Sequence, residues 1–152
     1  WTCVRLRDLT VDEMDDSWQL NLRSVLLTLR EGARRVRDGG RIVVMSSAVA
    51  DIAPARQLSY AMAKAGVEAA VRVAAKELGK RQVTVNAVRP GATDTPGLRS
   101  STSEKAIDAM SVAPALGRLG RPEDISDIVA FLCGPGGRWL TGTVLDATGG
   151  LR

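Results

Sequence analysis

The sequence predicts an α/β fold of parallel strands flanked by helices, and three observations carry that expectation. The run Arg41-Ile-Val-Val-Met-Ser-Ser is apolar from Ile42 to Met45 and reads as a buried parallel strand. Arg81 to Val88 alternates and is β-branched, so it is a second strand. Helical patterns over Thr10 to about Arg37 and Ser59 to about Gly79 alternate with these strands.

At 152 residues and 45% hydrophobic composition, the chain is one ordinary globular domain with material for a core. It contains no histidine, which excludes a Ser-His-Asp triad. The two cysteines, Cys3 and Cys133, are far apart and cannot build a Cys/His metal site, so no metal is expected. They suit a reducing compartment, and the expected location is cytoplasmic. No apolar run approaches the roughly 18 residues of a membrane span. The opening WTCVRLRDLT does not read as a signal peptide. Residue 1 is Trp, so the chain is expected to begin inside a longer protein or to have been clipped. Net charge is +4, from arginines spread singly. The densest cluster, Arg34, Arg35 and Arg37, sits near a helix end, where cations suit the dipole. With few aromatic residues for stacking, no nucleic-acid partner is expected.

In chain order, Thr10 is a good N-cap, and Glu13 completes a capping box. Acidic residues fill the first turns of that helix and arginines its last. Leu22, Val25, Leu26 and Leu29 recur at helical spacing, and Gly39-Gly40 ends the pattern. Asn21 lies within it between two leucines, and a mid-helix asparagine wants a polar partner when buried. Ala48 to Leu58 reads as a loop. The helix from Ser59 is apolar on more than one face, so sheet packing explains one side and a partner subunit would explain another. Arg89 to Gly97 is a Pro/Gly turn after a strand, a ligand-edge loop. Leu98 to Gly117 reads as a mobile lid with a short amphipathic piece, Glu104 to Met110. A helix follows near Pro122 and runs to about Cys133, and Thr141 to Ala147 is a short final strand.

The chemistry-bearing stretch is Ser47 to Lys64. Tyr60 follows Ser47 by thirteen residues, and Lys64 follows Tyr60 by four. Four residues put Tyr60 and Lys64 on one helix face. A lysine beside a phenol lowers its pKa, and a phenol so tuned trades protons with a substrate oxygen. Ser47 stands at a strand's carboxyl end, where open α/β sheets bind ligands. Tyr-x-x-x-Lys by itself more often marks a half-buried tyrosine and a solvated lysine. Here the strand, the loop and the alanine-rich helix supply the context the motif needs.

These residues resemble the short-chain dehydrogenase/reductase family, whose signature is that serine, that Tyr-x-x-x-Lys and that interval. Further matches are Pro90-Gly91 with Thr95, Arg118 to Asp124 (Arg-x-Gly-x-Pro-Glu-Asp), Phe131-Leu132, Thr141-Gly142 and Gly149-Gly150. The resemblance implies the second half of a Rossmann-like three-layer fold, making residues 1–152 a single partial domain. It implies NAD or NADP as cofactor and a small carbonyl or alcohol as substrate. Tyr60 would be the acid/base, Lys64 would tune it and hold the nicotinamide ribose, and Ser47 would bond the substrate oxygen. Asn21 would bend its helix and hold a water in the proton relay; from the residues alone, the alternative is a core-edge hydrogen bond. Pro90 and Gly91 would pack near the nicotinamide, the Thr93 backbone would contact its carboxamide, and the Thr95 hydroxyl would also reach the cofactor. The helices over 10–37 and 59–79 would form a homodimer or homotetramer interface.

The family's Thr-Gly-x-x-x-Gly-x-Gly turn has no counterpart here, nor has the residue that chooses NAD or NADP. Thr148 stands where the family usually has Asp. Two readings therefore remain: the catalytic half of an NAD(P)(H)-dependent oxidoreductase, or a non-catalytic remnant retaining the association helices. An open apolar edge at Ile42 to Met45 is expected to make the isolated chain oligomeric or poorly soluble.

Overall fold

The computed structural model describes residues 3–151. Three strands, β1 (Arg41–Met45), β2 (Thr84–Pro90) and β3 (Val144–Ala147), form one parallel sheet in the order β1-β2-β3. Val44 pairs with Ala87, and Val88 with Leu145. Among the described residues, β1 has no strand on its other side, so the expected open edge is present.

The first helical stretch departs from the expected single α-helix. It comprises α1 (Val11–Trp18), a π-helical turn (Gln19–Arg23) and α2 (Ser24–Arg35). Thr10 begins it with the expected capping box: its hydroxyl accepts from the Glu13 amide at 3.2 Å, and Glu13 accepts from the Thr10 amide at 3.0 Å. The widened turn is recorded in the Ser24 amide, which reaches back five residues to the Gln19 carbonyl. Asn21 lies inside that turn and its amide donates to the Ser17 carbonyl at 3.3 Å. Such local side-chain bonding competes with the backbone ladder, and single π turns are common at functional sites.

After β1, the segment expected to be a loop contains a short helix, α3 (Val49–Ile52). Ala53 closes it in the left-handed region at φ 45°. Next comes α4 (Leu58–Leu78), the longest helix described. The second strand starts later than expected because a 3-10 turn occupies Gly79–Arg81 and Gln82 takes φ 56°. Arg81 is not a strand residue. Its guanidinium bonds Asp38 at 2.8 Å, the Ala33 carbonyl at 2.8 Å, and the Val36 carbonyl, stapling the end of α2 to the start of β2.

The expected mobile lid is organised into two helices, α5 (Pro96–Ser101) and α6 (Glu104–Val112). The Thr95 hydroxyl accepts from the Leu98 amide at 3.2 Å and caps α5, a role that local chemistry provides wherever Thr precedes a proline-led helix. Next, α7 (Pro122–Cys133) begins with Pro122 in its first turn. Asp124 accepts from the Arg121 amide at 2.7 Å and pairs with Arg118 at 2.6 Å. Arg118, then the Arg121 amide, hold the Asp124 carboxyl down at about 2.

The core lies between the sheet and the pair α2/α4. Val67 and Val71 of α4 and Val85 and Ala87 of β2 are completely buried there. Residues alternate across a strand, so Asn86 and Val88 point to the opposite face, where α7 packs against all three strands and buries Leu132. Helices thus cover both faces, the three-layer α/β arrangement that was expected. Asn86 is buried without cost because its amide is satisfied: it donates to the Leu140 carbonyl at 2.8 Å and accepts from the Thr143 amide at 3.2 Å. Those bonds fix the approach to β3, which starts at Val144 and not at Thr141. No described helix is long and apolar enough to cross a membrane. Cys3 and Cys133 are both free and exposed.

Candidate active site

The carboxyl ends of β1 and β2 meet at a short turn that carries Ser47. The Ser46 amide donates to the Val88 carbonyl at 2.8 Å, and the Ala48 amide to the Pro90 carbonyl at 2.9 Å. These two bonds extend the parallel ladder past β1 and hold Ser47 between them. The Ser47 hydroxyl accepts from the Val49 amide at 3.3 Å at the start of α3.

Against this turn lies the face of α4 that carries Tyr60, Lys64 and Glu68, each four residues after the last. Tyr60 is hydrogen-bonded to Ser47. The Lys64 ammonium donates to the Met45 carbonyl at 3.1 Å and stands 5.7 Å from the centroid of the Tyr60 ring. The expected lowering of the Tyr60 pKa by Lys64 is not found. Burial pushes the phenol above its ordinary value of 10.0, and the Ser47 hydrogen bond works the other way without cancelling it. Burial also pushes the Lys64 ammonium down. Desolvation disfavours whichever form is charged, and here it outweighs a lysine whose charge is spent on a backbone carbonyl.

This has a direct readout, because Tyr60 is the only tyrosine in the sequence. Ultraviolet titration of its phenolate is expected to show a midpoint above 10.0. A folded-state value above the unfolded one gives stability that is complete below the unfolded value and is lost as pH rises through the folded one. Unfolding should therefore become easier in alkali as Tyr60 ionises. A midpoint at or below 10.0 in the folded protein would contradict the buried placement.

Beside these residues opens a cavity of about 950 Å³. Asn21, Ser47, Tyr60, Pro90, Gly91, Thr93 and Thr95 all line it, so seven of the eight expected site residues share one space. The eighth, Lys64, lies behind Tyr60 and does not line the cavity. Gly91 also has a close packing contact within the fold. A Cβ there would lie 3.1 Å from the Thr148 Cα and 3.3 Å from the Thr148 carbonyl oxygen, so glycine lets the turn after β2 pack on the end of β3. The Thr93 hydroxyl donates to the Gly91 carbonyl at 3.1 Å and shapes that turn from within. A backbone bridge from Thr93 to Gly120 anchors it from outside. Thr95 spends an acceptor on the cap of α5, and a hydroxyl that accepts can still donate.

A group of residues that the sequence did not single out surrounds this site. Glu68 is buried and takes Arg89 in a two-pronged pair at 3.0 and 2.9 Å. Arg89 also bonds Asp146 of β3 at 2.9 Å and approaches Asp51 of α3 at 3.6 Å. Burial pushes Glu68 up, but the hydrogen bonds of Arg89 and Ser46 and the charges of Arg89 and Arg72 outweigh it, so the carboxyl lies below its ordinary value. The bonds and charge of Glu68 hold Arg89 firmly protonated. Two signals in the sequence pointed this way: Glu68 continues the Tyr60–Lys64 spacing, and Arg89 immediately precedes Pro90.

Fold and site together define a three-layer α/β domain with Ser47, Tyr60 and Lys64 gathered at the strand ends of a parallel sheet. The chain belongs to the short-chain dehydrogenase/reductase family. Residues 3–152 match the family model described as enoyl-(acyl carrier protein) reductase. The short chain dehydrogenase claC of Passalora fulva is 34% identical over 157 residues, covering 95% of this chain and 59% of that protein. The human (3R)-3-hydroxyacyl-CoA dehydrogenase is 35% identical over 149 residues, covering 96% of this chain and 57% of that protein. Among solved structures, the angucycline C-6 ketoreductase LanV with bound NADP superposes with a TM-score of 0.93 at 30% identity, covering 99% of this chain and 58% of that one. The chain thus spans less than two thirds of the length of these relatives.

Proposed function

We propose that this chain carries the proton-transfer half of a carbonyl reductase that interconverts a ketone and a secondary alcohol with NAD or NADP. The observation that carries the reading is the hydrogen-bonded Ser47–Tyr60 pair facing Pro90 to Thr95 across one cavity. A nicotinamide ring fits there: the space is large enough, one wall is a glycine turn, and Thr93 and Thr95 flank it. Bound there, the nicotinamide supplies or removes the hydride.

The chain's own residues do the rest. Tyr60 donates its proton to the carbonyl oxygen as that oxygen gains charge, and takes it back in the reverse direction. Ser47 donates a hydrogen bond to the same oxygen, a charge-stabilising role. Lys64 places a cation behind the Tyr60 ring, and Asn21 in its widened turn serves a water path for reprotonation. Thr95 and the Thr93 backbone orient the carboxamide. Among the described residues, no charged side chain lines the cavity, and Val49, Ile52, Leu98, Ala109 and Met110 form much of its wall. Such a wall favours a neutral, largely apolar ketone, because a charged substrate would lose hydration without gaining a partner. Relatives with bound NADP or NADPH support a dinucleotide cofactor for the parent enzyme.

Association is part of the same proposal. Met14 and Trp18 of α1 and Met62 and Val73 of α4 are exposed, at 42%, 49%, 63% and 56%. Together with the free edge of β1 they favour a homodimer or homotetramer through the helices over 10–37 and 59–79. Sedimentation at micromolar concentration is expected to show an oligomer, and a clean monomer would overturn this part.

The deciding test is a titration of the purified chain with NADH and NADPH, followed by nicotinamide fluorescence. Micromolar binding of either supports the reading. No binding at millimolar nucleotide would overturn it for this chain and leave the association role in its place.

A further inference from the structure

Ser47 has to be aimed at Tyr60, and the bond its hydroxyl accepts from the Val49 amide is long, at 3.3 Å. The residue before it is held far more firmly. The Ser46 hydroxyl is buried and donates to Glu68 Oε1 at 2.6 Å, the length of a strong bond to a charged acceptor. Its amide is bonded to β2, and the carbonyl of Met45 is taken by Lys64 at 3.1 Å. The peptide leading into Ser47 is therefore tied to α4 at two points one helical turn apart, on the face that also carries Tyr60. Glu68 is itself immobilised by the two bonds from Arg89, whose third contact reaches Asp146 on β3.

We propose that Glu68, clamped by Arg89, is a positioning residue that acts through the Ser46 hydroxyl to hold Ser47 against Tyr60. This deepens the reductase reading and rests on its assignment of Ser47 and Tyr60, but its test needs neither cofactor nor turnover. Salt-bridge geometry alone would have been met by Arg89 and Glu68. The serine adds a bond that links this ion pair to the neighbouring site residue. The network joins the end of β1, α3 through Asp51, α4, β2 and β3, and of these α3, α4 and the end of β2 line the cavity through Val49, Ile52, Tyr60 and Pro90.

Titration of Tyr60 in charge-neutral variants is the test. Lys64, Glu68, Arg72, Arg89, Asp51 and Asp146 are the charged groups around the turn, and none of them changes when Ser46 is replaced. The Ser47 hydrogen bond lowers the Tyr60 midpoint. Ser47→Ala should therefore raise it, and Ser46→Ala should raise it in the same direction, by about half a pH unit. Ser46→Thr, which keeps the hydroxyl, should restore the original midpoint. Ser46→Cys, a weaker donor, should fall between and carries the test if the alanine variant does not fold by circular dichroism. If Ser47→Ala moves the midpoint and neither Ser46→Ala nor Ser46→Cys does, the positioning role is overturned while the reductase reading stands. If Ser47→Ala itself moves nothing, there is no Ser47–Tyr60 contact to position, and both fall together.

Discussion

Replacing Tyr60 with Phe is expected to lower kcat for ketone reduction in the cofactor-loaded enzyme by roughly a hundredfold to ten-thousandfold, the usual contribution of a positioned general acid. The substitution removes one oxygen and keeps the ring, so the packing on α4 and the contact with the Lys64 ammonium 5.7 Å away persist. KM for the ketone should change little, because the lost interaction strengthens only as charge develops on the substrate oxygen. The pH profile gives a second signature. Reduction needs the protonated phenol, which burial keeps above its ordinary value of 10.0, so the wild-type rate should hold until alkaline pH and decline as Tyr60 ionises. Oxidation of the alcohol needs the phenolate and should rise over the same range. Steady-state nicotinamide absorbance in both directions measures this, and a Phe variant within tenfold of wild type would remove Tyr60 from the acid's role.

Arg89→Ala should produce the largest loss of stability, about 3–5 kcal/mol, the cost of breaking a buried ion pair by deleting one partner. The Arg89 and Glu68 side chains are 13% and 8% exposed, so little solvent screens the carboxylate left behind. Asp146, 29% exposed, loses its bond to Arg89 at the same time. The deficit has a predictable pH dependence. Glu68 in the wild type is held below its ordinary value of 4.5, so the stability it contributes is present above that value and is lost as pH falls through the folded one. In the variant, burial without Arg89 raises the Glu68 pKa, and the carboxyl neutralises instead of remaining charged. The gap between the two proteins should therefore narrow in acid. Urea unfolding at neutral pH and near pH 4 would show this; a gap that is constant or widens in acid would place the stabilisation elsewhere.

Much of the architecture was legible in the residue pattern. The strands at Ile42 to Met45 and Thr84 to Val88 announce themselves by apolar and β-branched runs, and α4 by its length and alanine content. Thr10 and Glu13 declare a capping box because that motif is closed within four residues. Less legible were features set by competition between local and distant bonds. The π turn at Gln19–Arg23 shifts the helix by a single residue, a change that periodicity over a short window does not register. The start of β2 moved because Arg81 reaches across to Asp38 and the end of α2. Helix α6 lies where the short amphipathic piece over Glu104 to Met110 was expected, whereas α5 arises where serine and threonine content suggested only a lid, since Thr95 and Pro96 together start a helix that composition does not reveal.

Order and spacing along the chain were enough to bring Ser47, Tyr60 and the Pro90 to Thr95 turn to one edge of a parallel sheet. That follows because a strand end, a helical repeat and a crossover are short-range geometries. Only the tertiary structure decided the electrostatics. Whether the Tyr60 pKa goes up or down depends on how much water the surrounding helices remove and where the Lys64 ammonium points, and neither is encoded in a four-residue spacing. The close approach of Gly91 to Thr148 is likewise a contact between segments far apart in sequence. The Glu68–Arg89–Asp146 network belongs to the same class: its members come from α4, β2 and β3, and their charges acquire meaning only when packing excludes the solvent that would otherwise screen them.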